Sequence, residues 1–129
     1  MLTIREAQME HLEQEQMLSF EQRCLEFIGD QFPEQLAMSG EEVMRERIRA
    51  DIQRAFMQDI SDEADVMKYL YLTNLLGADF DADPRYVWLA PIIQDRAQTP
   101  HIRLDHALDA IAQRLDAGIA LADPLEVTK

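Results

Sequence analysis

Residues 66–76 read VMKYLYLTNLL, and this stretch decides the fold. Its Val, Met, Leu and Tyr side chains fall on every side of a helical wheel, with only Lys68, Thr73 and Asn74 polar. A helix that is apolar all round must be covered by neighbours all round, so this one is expected at the centre of a bundle. The three polar side chains are expected to face outward. Ser61 or Asp62 offers an N-cap oxygen in front of it, and Gly77 is a natural residue to end it.

The covering helices are legible on either side. Thr3 and Glu6 have capping-box spacing, which predicts a helix start. Met9, Leu12, Gln16, Phe20, Cys24 and Phe27 follow at steps of three and four, with Leu18, Leu25 and Ile28 beside them, down to a stop at Gly29, Asp30 and Pro33. A helix of about 26 residues is ~40 Å long at 1.5 Å per residue, longer than a domain of this size is wide. Its Glu- and Gln-rich N-terminal third is therefore expected to project or to pack on a partner. Ser39 with Glu42 forms a second capping box. Met44, Ile48, Ile52, Ala55 and Phe56 line one stripe of the helix that follows. Arg45, Arg47, Arg49 and Arg54 alternate with Glu41, Glu42, Glu46 and Asp51 on its other faces, where Glu41 can reach Arg45 and Asp51 can reach Arg47.

Downstream, GADFDADP at 77–84 is a turn-rich acidic loop centred on Phe80. Asp83-Pro84 reads as N-cap and first helical residue of a short helix running to about Gln94, which Pro91 either kinks or restarts. Thr99-Pro100 repeats the signal for a last helix, striped by Leu104, Leu108, Ile111 and Leu115 and ending near 118–122. The tail DPLEVTK is expected to be loose. No alternating β-branched run and no Asn-Gly or Asp-Gly turn competes. The reading is all-α: one domain over residues 1–129, about five helices in a compact orthogonal bundle with a long N-terminal helix.

Charge narrows the partners. The chain carries 25 acidic and 12 basic residues, net −13. Residues 1–65 hold 16 acids against 6 bases, a net of −10, and residues 66–129 hold 9 against 6, a net of −3. Such a field repels phosphate backbones and anionic membranes, which argues against nucleic-acid and membrane ligands, and it favours encounter with a basic protein. A single cysteine, Cys24, precludes an internal disulfide and fits a reducing compartment. The N-terminus has no basic start followed by an apolar run, and no stretch approaches 18 apolar residues, so a cytoplasmic protein is expected.

The candidate chemistry is thin. Asp79, Asp81 and Asp83 open like a calcium loop, but Pro84 stands where the sharp turn needs Gly, and Ala90 stands where a bidentate Glu is needed. A structural role, with Asp79 or Asp83 capping the next helix and Phe80 plugging the core, is the alternative. His101 and Asp105 share a helix face, yet two ligands do not make a metal site. Cys24 lies in an apolar stripe, where a buried cysteine behaves as a small hydrophobe rather than as a nucleophile. The four glycines are isolated, so no phosphate loop exists, and no nucleophile motif is present. No catalytic residue, metal or cofactor is expected. Trp88 and Tyr86 read either as core or as an interface anchor.

The stretch LLGADFDADPRYVWLAPIIQD at 75–95, the opening LTIREAQMEHLEQEQMLSFEQR and the short FPEQ segment together carry a resemblance that covers most of the chain. Its most specific part is Gly77, Asp79, Phe80, Asp81, Asp83 and Pro84 with Trp88 four residues on. The chain resembles small helical proteins encoded beside bacterial type VI secretion spike and effector genes. The resemblance implies a non-catalytic cytoplasmic chaperone or adaptor that binds a secreted effector or spike protein. The alternative is an immunity protein that neutralises a co-encoded toxin, and a homodimer through the first helix is a third arrangement. The expected partner surface is Glu10, Glu13 and Gln14 of the first helix with Asp79, Asp81 and Asp83 of the loop.

Overall fold

The computed structural model describes residues 4–122, with side chains described from Met17 onward. Helix α1 spans Ile4–Gln31, α2 Pro33–Ser39, α3 Glu41–Met57, α4 Glu63–Leu76, α5 Ala90–Ile93 and α6 Pro100–Asp116, with a 3-10 turn at Pro84–Tyr86. No strand is present among the described residues. The expected central helix is α4, which packs against α1, α3 and α6. Its Val66, Tyr69, Leu70, Leu72 and Leu76 are buried, and they meet Phe20, Cys24 and Ile28 of α1, Met44, Ile48 and Ile52 of α3, and Leu104 and Ala107 of α6 in one core. The 28 residues of α1 give it a length of about 42 Å. Thr3 and the side chains of Met9, Leu12 and Gln16 lie outside the described residues, as does the tail from 123.

The structure corrects several local expectations. Gly29 does not end α1, which continues to Gln31. A Cβ at Gly29 would stand 2.9 Å from Leu36 Cδ2, so this glycine serves the close approach of α2 to α1. Pro33 ends α1, because the residue before a proline is pushed out of helical geometry, and Phe32 sits at φ −131°. The short helix α2 was not expected. Ser39 ends it instead of capping α3, and Gly40, at φ 85°, takes the cap position without a side-chain oxygen. Three caps match the sequence reading. Asp62 accepts from the amides of Ala64 and Asp65, Asp83 from that of Arg85, and Thr99 from that of Ile102. The expected helix from Pro84 to Gln94 is broken into the 3-10 turn and α5, with Pro91 starting the second piece. Phe56 and Leu115, read as core, are exposed.

Thr73 and Asn74 face inward, not outward, and Asp51 is buried with them. The Thr73 hydroxyl lies 2.8 Å from Asp51 Oδ2 and 2.9 Å from the Leu70 carbonyl, and Asn74 Nδ2 donates to the same carbonyl at 2.8 Å. The Asp51–Thr73 bond ties α3 to α4, at a place where Asp51 is 6% exposed and its charge is poorly solvated. Burial therefore raises the Asp51 carboxyl above its ordinary value, against the Thr73 hydrogen bond and the nearby Arg54 and Arg47. Cys24 is fully buried between α1 and α4, and burial pushes its thiol up to about 12.

A second buried polar group closes the other end. Arg103 of α6 is 4% exposed, and its guanidinium donates to the Ile93 carbonyl at 2.9 Å and to the Gln58 carbonyl at 3.4 Å. Those oxygens end α5 and α3, where helix carbonyls lack partners and carry partial negative charge. Arg96 reaches the same Gln58 carbonyl and pairs with Asp59 at 3.0 Å. One cation on α6 thus meets two helix ends, as the described partner of the Ile93 carbonyl and sharing the Gln58 carbonyl with Arg96.

Two outcomes follow for stability. Arg103→Met keeps the bulk but strands the buried Ile93 carbonyl, and should cost about 1–3 kcal/mol in urea unfolding. For Asp51, a folded carboxyl held above its unfolded value binds more protons in the native state, so stability falls as pH rises from the ordinary carboxylate range through the raised value. Asp51→Asn keeps an acceptor for Thr73 and removes the buried charge. It should melt no earlier than the parent at pH 7 and lose that downward slope in acid, as read by thermal melts from pH 3 to 7.

Candidate functional site

The covering of α4 is incomplete on one side. Ala64, Met67, Lys68 and Tyr71 fall at i, i+3, i+4 and i+7, a single stripe of α4. With Phe27 and Gln31 of α1 and Leu108 of α6 they line an open, mostly apolar groove of about 530 Å³. The helix α4 is its floor, and α1 and α6 are its walls. Phe27, Met67 and Leu108 are half-buried, each packing on the core from beneath while showing a surface to the groove. Tyr71 is steadied by Phe32, whose ring centroid lies 5.3 Å away. The walls are held apart by side chains that bridge them to the floor, so the groove is built into the packing.

Polar groups mark its rim. At the N-terminal end of α4, Glu63 pairs with Arg23 of α1 at 3.1 Å. Along the α6 wall, Lys68 Nζ donates to Asp105 Oδ1 at 2.7 Å, and the His101 ring stands between two carboxylates, with Nδ1 3.1 Å from Asp65 Oδ1 and Nε2 3.2 Å from Asp105 Oδ2. The Lys68 hydrogen bond holds the Asp105 carboxyl below its ordinary value. The expected neighbours His101 and Asp105 do meet, joined by Asp65, which the sequence did not single out. No group of three or more His, Cys, Asp and Glu among the described residues is placed to hold a metal ion. The Lys68 ammonium lies 2.7 Å from Asp105, 3.5 Å from His101 Nδ1 and 4.0 Å from Asp65, and so supplies the positive charge of the cluster.

The acidic loop after α4 is arranged differently. Phe80 is buried against Tyr69, with centroids 5.8 Å apart, and plugs the core as expected. The three aspartates do not converge on one point. Asp79, 85% exposed, forms an ion pair with Arg54 at 3.2 Å. Asp81 accepts from Gln58 Nε2 at 3.3 Å, and the same amide donates to the Tyr69 hydroxyl at 3.0 Å. Burial, and after it the Asp81 charge, raises that hydroxyl to about 12. Asp83 caps the 3-10 turn and binds Arg85 at 2.7 Å, and those bonds hold its carboxyl low. Trp88 packs half-buried on the core, with Nε1 donating to the Leu121 carbonyl at 3.0 Å and the Arg114 guanidinium 4.2 Å from its ring centroid. Glu10, Glu13 and Gln14 lie on α1, and their side chains fall outside the described residues.

Compared with family models, curated proteins and solved structures, the chain matches none. Among the described residues, no helix is long and apolar enough to cross a membrane. The groove residues were missed in the sequence because Phe27, Met67, Tyr71 and Leu108 sit in core-like stripes. The only local signal was that α4 is apolar on more sides than a surface helix needs.

The loop's division of labour has a thermal signature. Asp83→Ala removes a helix cap and should cost about 1 kcal/mol, whereas Asp79→Asn loses an exposed ion pair and should stay within about 0.5 kcal/mol of the parent. Paired thermal melts read both.

Proposed function

We propose that this chain is a non-catalytic protein-binding accessory, a chaperone or adaptor that holds a secreted effector or spike protein of a type VI secretion system before loading. The observation that carries the reading is the apolar groove on α4, open between α1 and α6 and lined by Phe27, Met67, Tyr71 and Leu108. Exposed apolar surface of this kind, rimmed by charge, is what a protein leaves open for a partner. Met67 gives the floor an adaptable surface that can fit more than one apolar side chain.

The charge supports a basic partner, since a chain of net −13 speeds its encounter with positive protein surface. The secretion context rests on the resemblance at residues 75–95. The carboxylates of Asp79 and Asp81, with Glu10, Glu13 and Gln14 of α1, would extend the contact beyond the groove. Asp83 is committed to its cap and to Arg85, so it would contribute less.

The test is capture of the tagged protein from its native host, followed by an activity assay on what co-purifies. A spike protein or an effector that stays active while bound is the expected result. A toxin that is silent until separated would replace this reading with that of an immunity protein.

A further inference from the structure

Resting on that reading, we infer that the groove on α4 receives an amphipathic helix of the partner, with its apolar face on Ala64, Met67 and Tyr71 and basic residues flanking that face. The walls of the groove favour a helix. Floor and sides are all helical, so their backbone donors and acceptors are used within the helices. An extended peptide would find no backbone edge to pair with, whereas a helix satisfies its own backbone and needs only an apolar trough. The floor stripe repeats at helical spacing, as ridge-into-groove packing requires. Ala64, exposed and the smallest side chain of the stripe, gives the incoming backbone its closest approach at one end. A volume of about 530 Å³ lies within the range of about 300–1,000 Å³ found for ligand-holding clefts.

Charge selects the helix. At the far end of the groove stands Gln31, the last residue of α1, and α1 has no basic residue in its last turn. The last turn of α4 has none either. Gln35 Nε2 donates to the Asn74 carbonyl at the α4 end, so the stronger negative end is that of α1, with the exposed Asp30 and Glu34 beside it. At the near end, Glu63 and Asp105 border the groove, each holding one cation of this chain. Those two carboxylates are matched, so a partner helix carrying Lys or Arg beyond its apolar face meets complementary potential at the Gln31 end, and one carrying Glu meets repulsion there. The same charge weighs against a second copy of this chain, because two molecules of net −13 would have to be brought together.

The probe is a labelled synthetic helix of about 18 residues, long enough to be partly helical alone, built from Leu, Ala and Lys with one apolar face. Its controls are a Leu/Ala/Glu helix with the same face and a Leu/Ala/Lys peptide scrambled to lose the face. Fluorescence anisotropy should show the Lys helix binding about tenfold or more tighter than the Glu helix and than the scrambled peptide. Ala64→Trp fills the groove from an exposed position, and should weaken the Lys helix about tenfold or more at unchanged melting temperature. Met67→Lys should weaken it too, by placing a like charge on the floor. Equal affinity for the Lys and Glu helices would overturn the basic partner. Equal affinity for the scrambled peptide, or indifference to both groove variants, would overturn the helical docking. Self-association in ultracentrifugation that Ala64→Trp abolishes would give the groove to a second copy and overturn the assignment. If the peptides fail while host capture still returns an active effector, the groove assignment falls and the accessory reading stands.

Discussion

The three longest neighbours of α4 are placed by the need to cover it. A helix with apolar groups on all sides loses about 25 cal/mol for each Å² of them left in water, so its neighbours are recruited before their own polar faces matter. Helix α1 covers one side, α3 a second, α6 a third, and Phe80 of the following loop seals the end near Tyr69. Helices around a central one leave gaps between them, and the gap between α1 and α6 opens onto α4 itself. The groove is thus a product of the same constraint that makes the core.

Polar groups inside the bundle determine which arrangement of covering helices is adopted. Apolar packing alone would tolerate α3 and α6 sliding along α4. The Asp51–Thr73 hydrogen bond fixes the register of α3, since a slip would leave a buried carboxylate without a partner. The Arg103 guanidinium does the same for α6, because only one placement puts it against the Ile93 and Gln58 carbonyls together. At the margin of the core the buried Glu21 pairs with Arg49 of α3, and nearer the surface Lys68 pairs with Asp105 with smaller stakes. Since α6 forms one wall of the groove, the position of Arg103 also sets its width.

What could be read from the sequence was what depends on neighbours in the chain. Asp62, Asp83 and Thr99 cap helices because their oxygens reach amides two and three residues on, and that geometry is local. Phe80 announced itself as a plug by being the one large apolar side chain in an acidic loop. Gly29 was misread because a glycine inside a periodic stretch looks like a stop, and only the fold shows Leu36 lying over it. Thr73, Asn74 and Asp51 were misplaced outward because polarity predicts exposure unless a partner is known, and their partners lie 22 residues away or within the buried helix itself. The groove was illegible for a related reason. Phe27, Met67, Tyr71 and Leu108 are ordinary core residues by sequence, and what exposes them is a neighbour that is missing in space.

Cys24 has a use that follows from its position. It is the only thiol in the chain, fully buried where α1 meets α4, and its high pKa leaves almost no thiolate at neutral pH. A thiol reagent therefore meets it only when the central packing parts, and the sulfur reacts only during that interval. Local fraying at the ends of α1 leaves it silent. The molecule thereby carries its own clock for the opening of its centre, readable without any added label or mutation.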